Sequence, residues 1–226
     1  MPVAKSVLVA LATCVALAAC SRSGEPSSST EPATTHSETA AAATDDCRPT
    51  TGGEAQGSVP ESTDAPSVVR LKPGADITPE EAAAEAPARR GTPLILSGTV
   101  FAADCRTPLA GALIEAWQTD ARGAYGPDSG SGEPRCCYLL GVVETDSDGR
   151  YSIRTIRPGH YRGLGPPPPA HIHLNVHYEG AGVLTEVLFA GDPYLPAGAS
   201  GPEVIRLRKS EGRLLGRFDI VLAESS

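Results

Sequence analysis

The stretch that decides the fold is Pro169-Ala170-His171-Ile172-His173-Leu174-Asn175-Val176-His177-Tyr178. In an extended strand, successive side chains point to opposite faces of a sheet. One face of this stretch therefore carries His171 and His173, whereas the other carries Ile172 and Leu174. This alternation predicts a half-buried strand with an apolar underside.

The two histidines also predict a metal site. Because His171 and His173 are two residues apart on one face, their imidazoles lie close enough to share a metal ion. The chain has only five histidines, and three lie on this face, so we favour a metal site over the alternative of a plain solvated strand face. His177 lies about 13 Å from His173 by strand rise. Neither His177 nor His160 is expected to be a ligand.

The part of the chain after Gly91 consists of short β-rich runs separated by glycine, proline and aspartate turns. The predicted strands are residues 94–101, 112–118, 139–144, 151–156, 170–178, 183–189, 204–208 and 217–222. Their regular spacing predicts an all-β fold, an antiparallel β-sandwich. One short N-terminal helix is predicted, with Thr78 as its cap and Glu81 closing a capping box. Trp117 and Phe189 are expected in the core because each lies inside a β-rich run.

The N-terminus resembles that of an exported protein. Residues 1–19 are predicted to be a signal peptide, because a short apolar run follows Lys5 and is too short to span a bilayer. Leu17-Ala18-Ala19-Cys20 resembles a bacterial lipobox, which implies lipidation of Cys20 and anchoring to the outer face of a bacterial membrane. An ordinary secretory signal is the alternative, and both imply export.

The mature chain is predicted to have two parts. Residues 20–66, rich in serine, threonine, alanine, glutamate and proline, are expected to be the lipidated cysteine and a disordered tether. Residues 67–226 are expected to be one β-sandwich domain. The formal net charge of −8 and the lack of a basic cluster disfavour nucleic-acid binding. Homodimer formation is left open.

Four cysteines remain outside the predicted signal peptide and lipidation site, namely Cys47, Cys105, Cys136 and Cys137. In an exported protein they predict two disulfides, with three possible pairings. Because adjacent cysteines rarely bond each other, we expect Cys136 and Cys137 each to pair with a distant cysteine, Cys47 or Cys105. A thiolate metal site is the alternative.

Several ordered motifs between Gly91 and Leu222 resemble those of the intradiol ring-cleavage dioxygenases, the family of catechol 1,2-dioxygenase and protocatechuate 3,4-dioxygenase. The motifs are Leu96-Ser97-Gly98-Thr99-Val100, Pro108-Leu109-Ala110-Gly111-Ala112, Ala116-Trp117-Gln118, Gly123-Ala124-Tyr125, Asp148-Gly149-Arg150-Tyr151, Pro158-Gly159-His160-Tyr161, Pro169 to His173, and Phe189-Ala190-Gly191-Asp192. Each motif alone is weak, but their number and order make the resemblance specific.

The resemblance implies a non-haem Fe(III) centre held by Tyr125, Tyr161, His171 and His173. It implies that Tyr125 stays bound, whereas Tyr161 leaves the iron as a catechol binds and helps to take up a catechol proton. The implied reaction is cleavage of a catechol-type diol by O2 to a cis,cis-muconate-type diacid. Phenolate donors stabilise the oxidised ion, while zinc would prefer more nitrogen or sulfur ligands.

The chain departs from the family pattern at two positions. Pro168 stands where the family usually has an arginine, and Arg162 is the candidate to supply that charge, with a surface arginine as the alternative. Glu186 stands where a glutamine is common, and a carboxylate there is unfavourable beside an anionic catecholate. The alternative to an enzyme is a non-catalytic transthyretin-like β-sandwich that serves as a surface binding or spacer module.

Overall fold

The predicted all-β sandwich is confirmed. The computed structural model describes residues 47–56, 65–84, 86–127, 135–161 and 165–224, which contain two β-sheets joined by one hydrophobic core. The strands are β1 (Val68–Arg70), β2 (Pro93–Phe101), β3 (Leu113–Gln118), β4 (Leu139–Glu144), β5 (Arg150–Ile156), β6 (His171–Tyr178), β7 (Ala181–Phe189), β8 (Val204–Ile205), β9 (Arg208–Ser210), β10 (Arg213–Arg217) and β11 (Ile220–Val221).

The two sheets differ in their strand order and pairing. The first sheet has the order β1-β5-β2-β10-β9, with β11 also paired to β2. The second has the order β4-β3-β6-β7-β8, and its four longer strands pair antiparallel. Both sheets are mixed, because β1, β8, β10 and β11 pair parallel to their neighbours. The predicted histidine strand is the central strand of the second sheet.

The predicted alternation of apolar and polar side chains along β6 agrees with which side chains are buried. Ile172, Leu174 and Val176 are fully buried between the sheets. They pack in one core with residues of the first sheet such as Leu96 and Ile153. Since these apolar side chains face inward, the histidines of β6 must face outward.

The short helix is confirmed with its predicted cap. Helix α1 comprises Pro79–Ala84. The Glu81 backbone N–H donates to the Thr78 hydroxyl at 3.3 Å, and the Thr78 N–H donates to the Glu81 carboxylate at 2.9 Å. This is the reciprocal capping box, in which two backbone donors are satisfied at the helix start. A single turn of 3₁₀ helix, Ala88–Arg90, follows. No helix within the described ranges is both long and apolar enough to cross a membrane.

Residues 47–56, which the sequence assigns to the tether, contact the sandwich. The Thr50 N–H donates to the Val221 carbonyl, and Gly53 exchanges two backbone hydrogen bonds with Leu184. The Gln56 N–H and carbonyl bind the side chain of Asn175 at 3.2 and 2.8 Å. This segment therefore lies along β7 and reaches the outer face of β6.

The predicted disulfide pairing is wrong. Cys47 bonds Cys105, and Cys136 bonds its neighbour Cys137. The reason is a non-local contact, since Thr50 pairs with Val221 and Val221 lies beside Phe101 at the end of β2. This contact brings Cys47 to the loop that holds Cys105, at the end of β2 remote from the cysteines that precede β4.

We predict that loss of the Cys47–Cys105 bond destabilises the domain. The bond spans 58 residues, and loop-closure entropy for that length corresponds to about 4 kcal/mol of unfolding free energy. The double variant Cys47→Ser, Cys105→Ser should therefore unfold at a clearly lower denaturant concentration than the parent. Urea denaturation measures this, and an unchanged midpoint would contradict the prediction.

The two disulfides also predict that thiol titration of the denatured, unreduced parent finds none of the four cysteines free.

Candidate metal centre

Three donor atoms converge on the outer face of β6. The Nε2 atoms of His171 and His173 are 3.2 Å apart. The Tyr125 hydroxyl lies 3.1 Å from the first and 2.9 Å from the second. Ligand atoms about 2.1 Å from one ion and at right angles are about 3 Å apart. The three donors therefore have the spacing of adjacent ligands around a single metal ion, and they fit it without rearrangement.

The Nδ1 atom of His171 is held by the segment that leads into β6. This atom lies 2.7 Å from the Pro169 carbonyl oxygen, and since a carbonyl can only accept, Nδ1 carries the hydrogen. In a neutral ring this leaves the Nε2 lone pair for a metal. A backbone carbonyl in this role orients a metal-binding histidine.

His173 is held by both neighbouring strands. Trp117, which lies opposite His173 on β3, stacks on the imidazole with ring centroids 4.8 Å apart and ring planes 14° apart. Glu186, its partner across β7, places a carboxylate oxygen 3.5 Å from Nδ1. The Glu186 side chain is about half exposed. Its carboxylate thus lies behind the ring, on the side away from Nε2.

Tyr125 is carried by a tight turn that follows β3. The Asp120 carboxylate accepts hydrogen bonds from the N–H groups of Arg122 and Ala124 at 2.8 and 3.0 Å. The Asp120 N–H donates to the Ala124 carbonyl, and the Tyr125 carbonyl accepts from the Tyr138 N–H. These bonds fix the tyrosine on both sides of the turn.

Tyr161 lies beside the same group. Its ring centroid is 5.5 Å from that of Tyr125 and 5.8 Å from that of His171. The loop that carries it packs against the Tyr125 turn at Gly123, where φ is +90° and a Cβ would overlap the His160 carbonyl. Glycine is required there for both reasons. The two tyrosine loops thus meet backbone to backbone.

Burial disfavours charge on two of the donors, Tyr125 and His173. It raises the pKa of the Tyr125 phenol above its usual value, with smaller contributions from the negative charges of Tyr161 and Glu186. Burial also lowers the pKa of His173 to about 4, helped by the nearby His171. In the metal-free protein at neutral pH, the phenol therefore keeps its proton and His173 is uncharged.

The structure brings together most of the residues predicted from the sequence. The donor atoms of Tyr125, His171 and His173 lie within 3.2 Å of one another. The Tyr161 ring lies beside them, and ligand atoms of Glu186 and the two histidines lie within 4.8 Å of one another. Arg162 lies outside the described residues, as does Cys20. Pro168 is half-buried in the segment before β6.

The two other histidines within the described residues occupy separate positions. His160 binds the Asp192 carboxylate at 2.8 Å and is not among the converging donors. His177 lies opposite Gly182, toward the other end of β6.

The prediction for Trp117 is wrong, and two buried carboxylates of the site were not predicted. Phe189 is in the core as expected, but Trp117 lies on the outer face, where it packs on His173. Its alternation with Ala116 was the available signal, since the two must face opposite ways. Asp120 and Asp192 are buried and bind the loops of the site, which an isolated aspartate in a sequence does not reveal.

Comparisons with known proteins agree with this arrangement. The family described as Dioxygenase matches residues 65–221. Catechol 1,2-dioxygenase of Acinetobacter baylyi is 36% identical over 122 residues, which are 46% of this chain and 38% of that protein. The protocatechuate 3,4-dioxygenase beta chain of Burkholderia cepacia is 35% identical over 136 residues, 51% of this chain and 58% of that protein.

A solved structure covers a similar region. It is the dioxygenase domain of a dioxygenase carbohydrate-binding protein fusion from Streptomyces sp. SirexAA-E, with 27% identity, a TM-score of 0.52, and coverage of 76% of this chain and 99% of that chain. The fold is that of a dioxygenase domain, and the tyrosine-histidine cluster lies within the matched residues. The chain belongs to the intradiol ring-cleavage dioxygenase family, and it spans 38% to 58% of the length of these two curated relatives.

We predict that metal-free protein loses stability on acidification through His173. The unfolded chain takes up a proton near pH 6.5, whereas the folded chain does so only near the lowered pKa of about 4, so unfolding is favoured as pH falls through this window. The contribution is on the order of 1 to 2 kcal/mol after solvent screening. Urea denaturation of the metal-free parent and of His173→Gln between pH 7 and 4 measures it. Parallel curves for the two proteins would contradict the prediction.

Proposed function

We propose that the chain is a non-haem Fe(III)-dependent intradiol dioxygenase that cleaves a catechol-type diol with O2 to a cis,cis-muconate-type diacid. The observation that carries the proposal is the convergence of the Tyr125 hydroxyl with the His171 and His173 Nε2 atoms, with Tyr161 beside them. Phenolate and imidazole donors together favour a ferric ion over zinc. The diol would chelate an ion held by these residues, and the ion would supply the redox chemistry by which the ring reacts with dioxygen.

The residues of the chain divide the remaining tasks. Tyr125 is anchored on both sides of its turn, which suits a permanent ligand. Tyr161 lies on the neighbouring loop, and its phenolate is the base proposed to take a proton from the incoming diol. His171 and His173 are oriented through Pro169, Trp117 and Glu186, which suits ligands that keep their positions while Tyr161 exchanges.

We further propose that substrates without a carboxylate are preferred. Glu186 adds negative charge at the edge of the site, 3.5 Å from His173, and Pro168 supplies no positive charge. A second anionic group on the diol would be repelled by this field. Neutral catechols and hydroxyquinol-like compounds therefore suit the site better than protocatechuate.

We also propose export and lipid anchoring at Cys20. Support comes from the lipobox-like sequence and from the pairing of all four described cysteines, which is usual in oxidising compartments. Free thiols at those four positions in protein taken from its native host would contradict export.

We predict about one ferric ion per chain and a colour that comes from phenolate-to-iron charge transfer. Tyr125→Phe removes an oxygen donor and keeps the ring, so iron content and visible absorption should both fall, and ring cleavage should fall at least 10-fold. Tyr178→Phe, at the far end of β6, is the matched control and should behave as the parent. Metal analysis, absorption spectra and oxygen uptake measure these effects. A colourless, iron-supplied parent that holds zinc or no metal would favour the spacer module instead.

We predict that catechol and hydroxyquinol are turned over faster than protocatechuate. Glu186→Gln removes the charge at the site's edge, so the ratio of protocatechuate to catechol turnover should rise about fivefold, corresponding to roughly 1 kcal/mol for a partly screened pair. Oxygen uptake with the three compounds measures the ratio. A parent that prefers protocatechuate would contradict the electrostatic argument.

Arg162 is tested in the same assay. If its charge stabilises the reacting ring, Arg162→Ala should lower turnover and leave iron and colour unchanged, because it would not ligate the metal. Arg150→Ala is the control, since Arg150 is exposed and pairs with Asp148 in a remote turn. Equal turnover in the parent and in Arg162→Ala would contradict this role and favour the alternative of a surface arginine.

A further inference from the structure

One buried carboxylate joins the segments on which two of the proposed ligands lie. Asp192 follows β7, and its side chain has no exposed surface. Its carboxylate accepts from His160 Nε2 at 2.8 Å, from the Arg157 guanidinium at 3.2 Å, and from the Tyr194 N–H at 3.0 Å. The Ala170 N–H donates to it at 3.4 Å. A buried charge with this many donors is fully compensated.

The positions of these donors connect the carboxylate to the site. Arg157 and His160 lie on the segment that leads into Tyr161. Ala170 immediately precedes His171, the first residue of β6. His160 is further held edge-on against Tyr194, with ring centroids 4.7 Å apart. Asp192 is therefore bonded to the Tyr161 segment and to the entry of the histidine strand at once.

We propose that Asp192 is a positioning residue that sets where Tyr161 lies relative to the histidine pair. It touches neither the donors of the site nor the space between them, and acts through His160, Arg157 and the Ala170 N–H. The inference rests on the proposed function, since it assigns the residue that holds the exchangeable ligand in reach of the metal.

The separate anchorage of Tyr125 makes this role selective. Its turn is fixed by the Asp120 carboxylate, which accepts from the backbone N–H groups of Arg122 and Ala124. Loss of the Asp192 bonds should therefore displace Tyr161 most, because Tyr125 keeps its Asp120 anchor and His171 and His173 keep the pairing of β6 with its neighbours. A merely structural role for Asp192 would affect all four ligands alike.

Asparagine is the informative substitution at position 192. If its oxygen accepts from the Tyr194 N–H, its amide N–H groups face the Arg157 guanidinium and the Ala170 N–H, which are donors. If the amide is turned over, the Tyr194 N–H loses its acceptor. Asp192→Asn thus keeps the size of the side chain and removes the charge and half of the bonds.

The test compares the ferric-loaded full chain with three variants. Asp192→Asn and His160→Gln weaken the connection to Tyr161, and Thr145→Val removes buried hydrogen bonds to Leu109 and Ala112 near the start of β3, the end remote from the site. In Asp192→Asn, we expect about one iron per chain, a charge-transfer absorption reduced by roughly half because one of two tyrosinates is lost, and turnover reduced about 10- to 100-fold. His160→Gln should show a smaller change in the same direction.

Thr145→Val should keep the parent's spectrum even if its melting temperature falls as far as that of Asp192→Asn. An Asp192→Asn spectrum that matches the parent's, or a Thr145→Val spectrum that loses as much absorption, overturns the positioning role. If Asp192→Asn does not fold, His160→Gln decides, and an unaltered spectrum there overturns the proposal. A parent that binds no ferric ion would instead reject the proposed function, so the two failures are distinguishable.

Discussion

The antiparallel register of β6 between β3 and β7 is the constraint on which the site depends. Because Ile172 and Leu174 are buried between the sheets, His171 and His173 must point to the outer face. The same register sets Trp117 and Glu186 opposite His173 on the two neighbouring strands. A slip of one residue would exchange the inward and outward sets and bury the histidines. The hydrophobic core thus holds two proposed ligands in place without contacting a metal.

The strands alone cannot supply the two tyrosines, which come from loops at one end of the sandwich. Each loop is fixed by a buried carboxylate at the end of a strand, Asp120 after β3 and Asp192 after β7. The loops also bond each other, since the Thr119 hydroxyl donates to the Gly159 carbonyl and the Gly159 N–H donates to the Asp120 carbonyl. Rigid strands therefore carry the histidines, whereas buried charges organise the loops that carry the tyrosines.

The features that the sequence predicted are those with a local cause. Alternation along β6 predicted its two faces, and the Thr78 and Glu81 spacing predicted the capping box. Trp117 was misplaced because its position inside a β-rich run does not show which side of β3 it occupies. The inner side carries Gln118, a buried polar residue satisfied by Thr155 and the Ile156 carbonyl. The disulfide pairing depends on contact between Thr50 and Val221, which are far apart in sequence. The two tyrosines were assigned only by family resemblance, because a loop has no repeating side-chain pattern from which their positions could be predicted.

The electrostatics of the donors explain how such a site can be preformed. Tyr125 keeps its proton in the metal-free state because burial raises its pKa, and the low pKa of His173 keeps that ring neutral. The Pro169 carbonyl assigns the hydrogen of His171 to Nδ1, so the phenol can donate its hydrogen to the free Nε2. The phenol hydrogen thus bonds one Nε2 at a time, and the lone pair of the other Nε2 stays free for a metal. Metal binding would then displace the phenol proton, so the affinity for metal should rise with pH. The core and the loop carboxylates can therefore hold the ligand geometry before any ion is present.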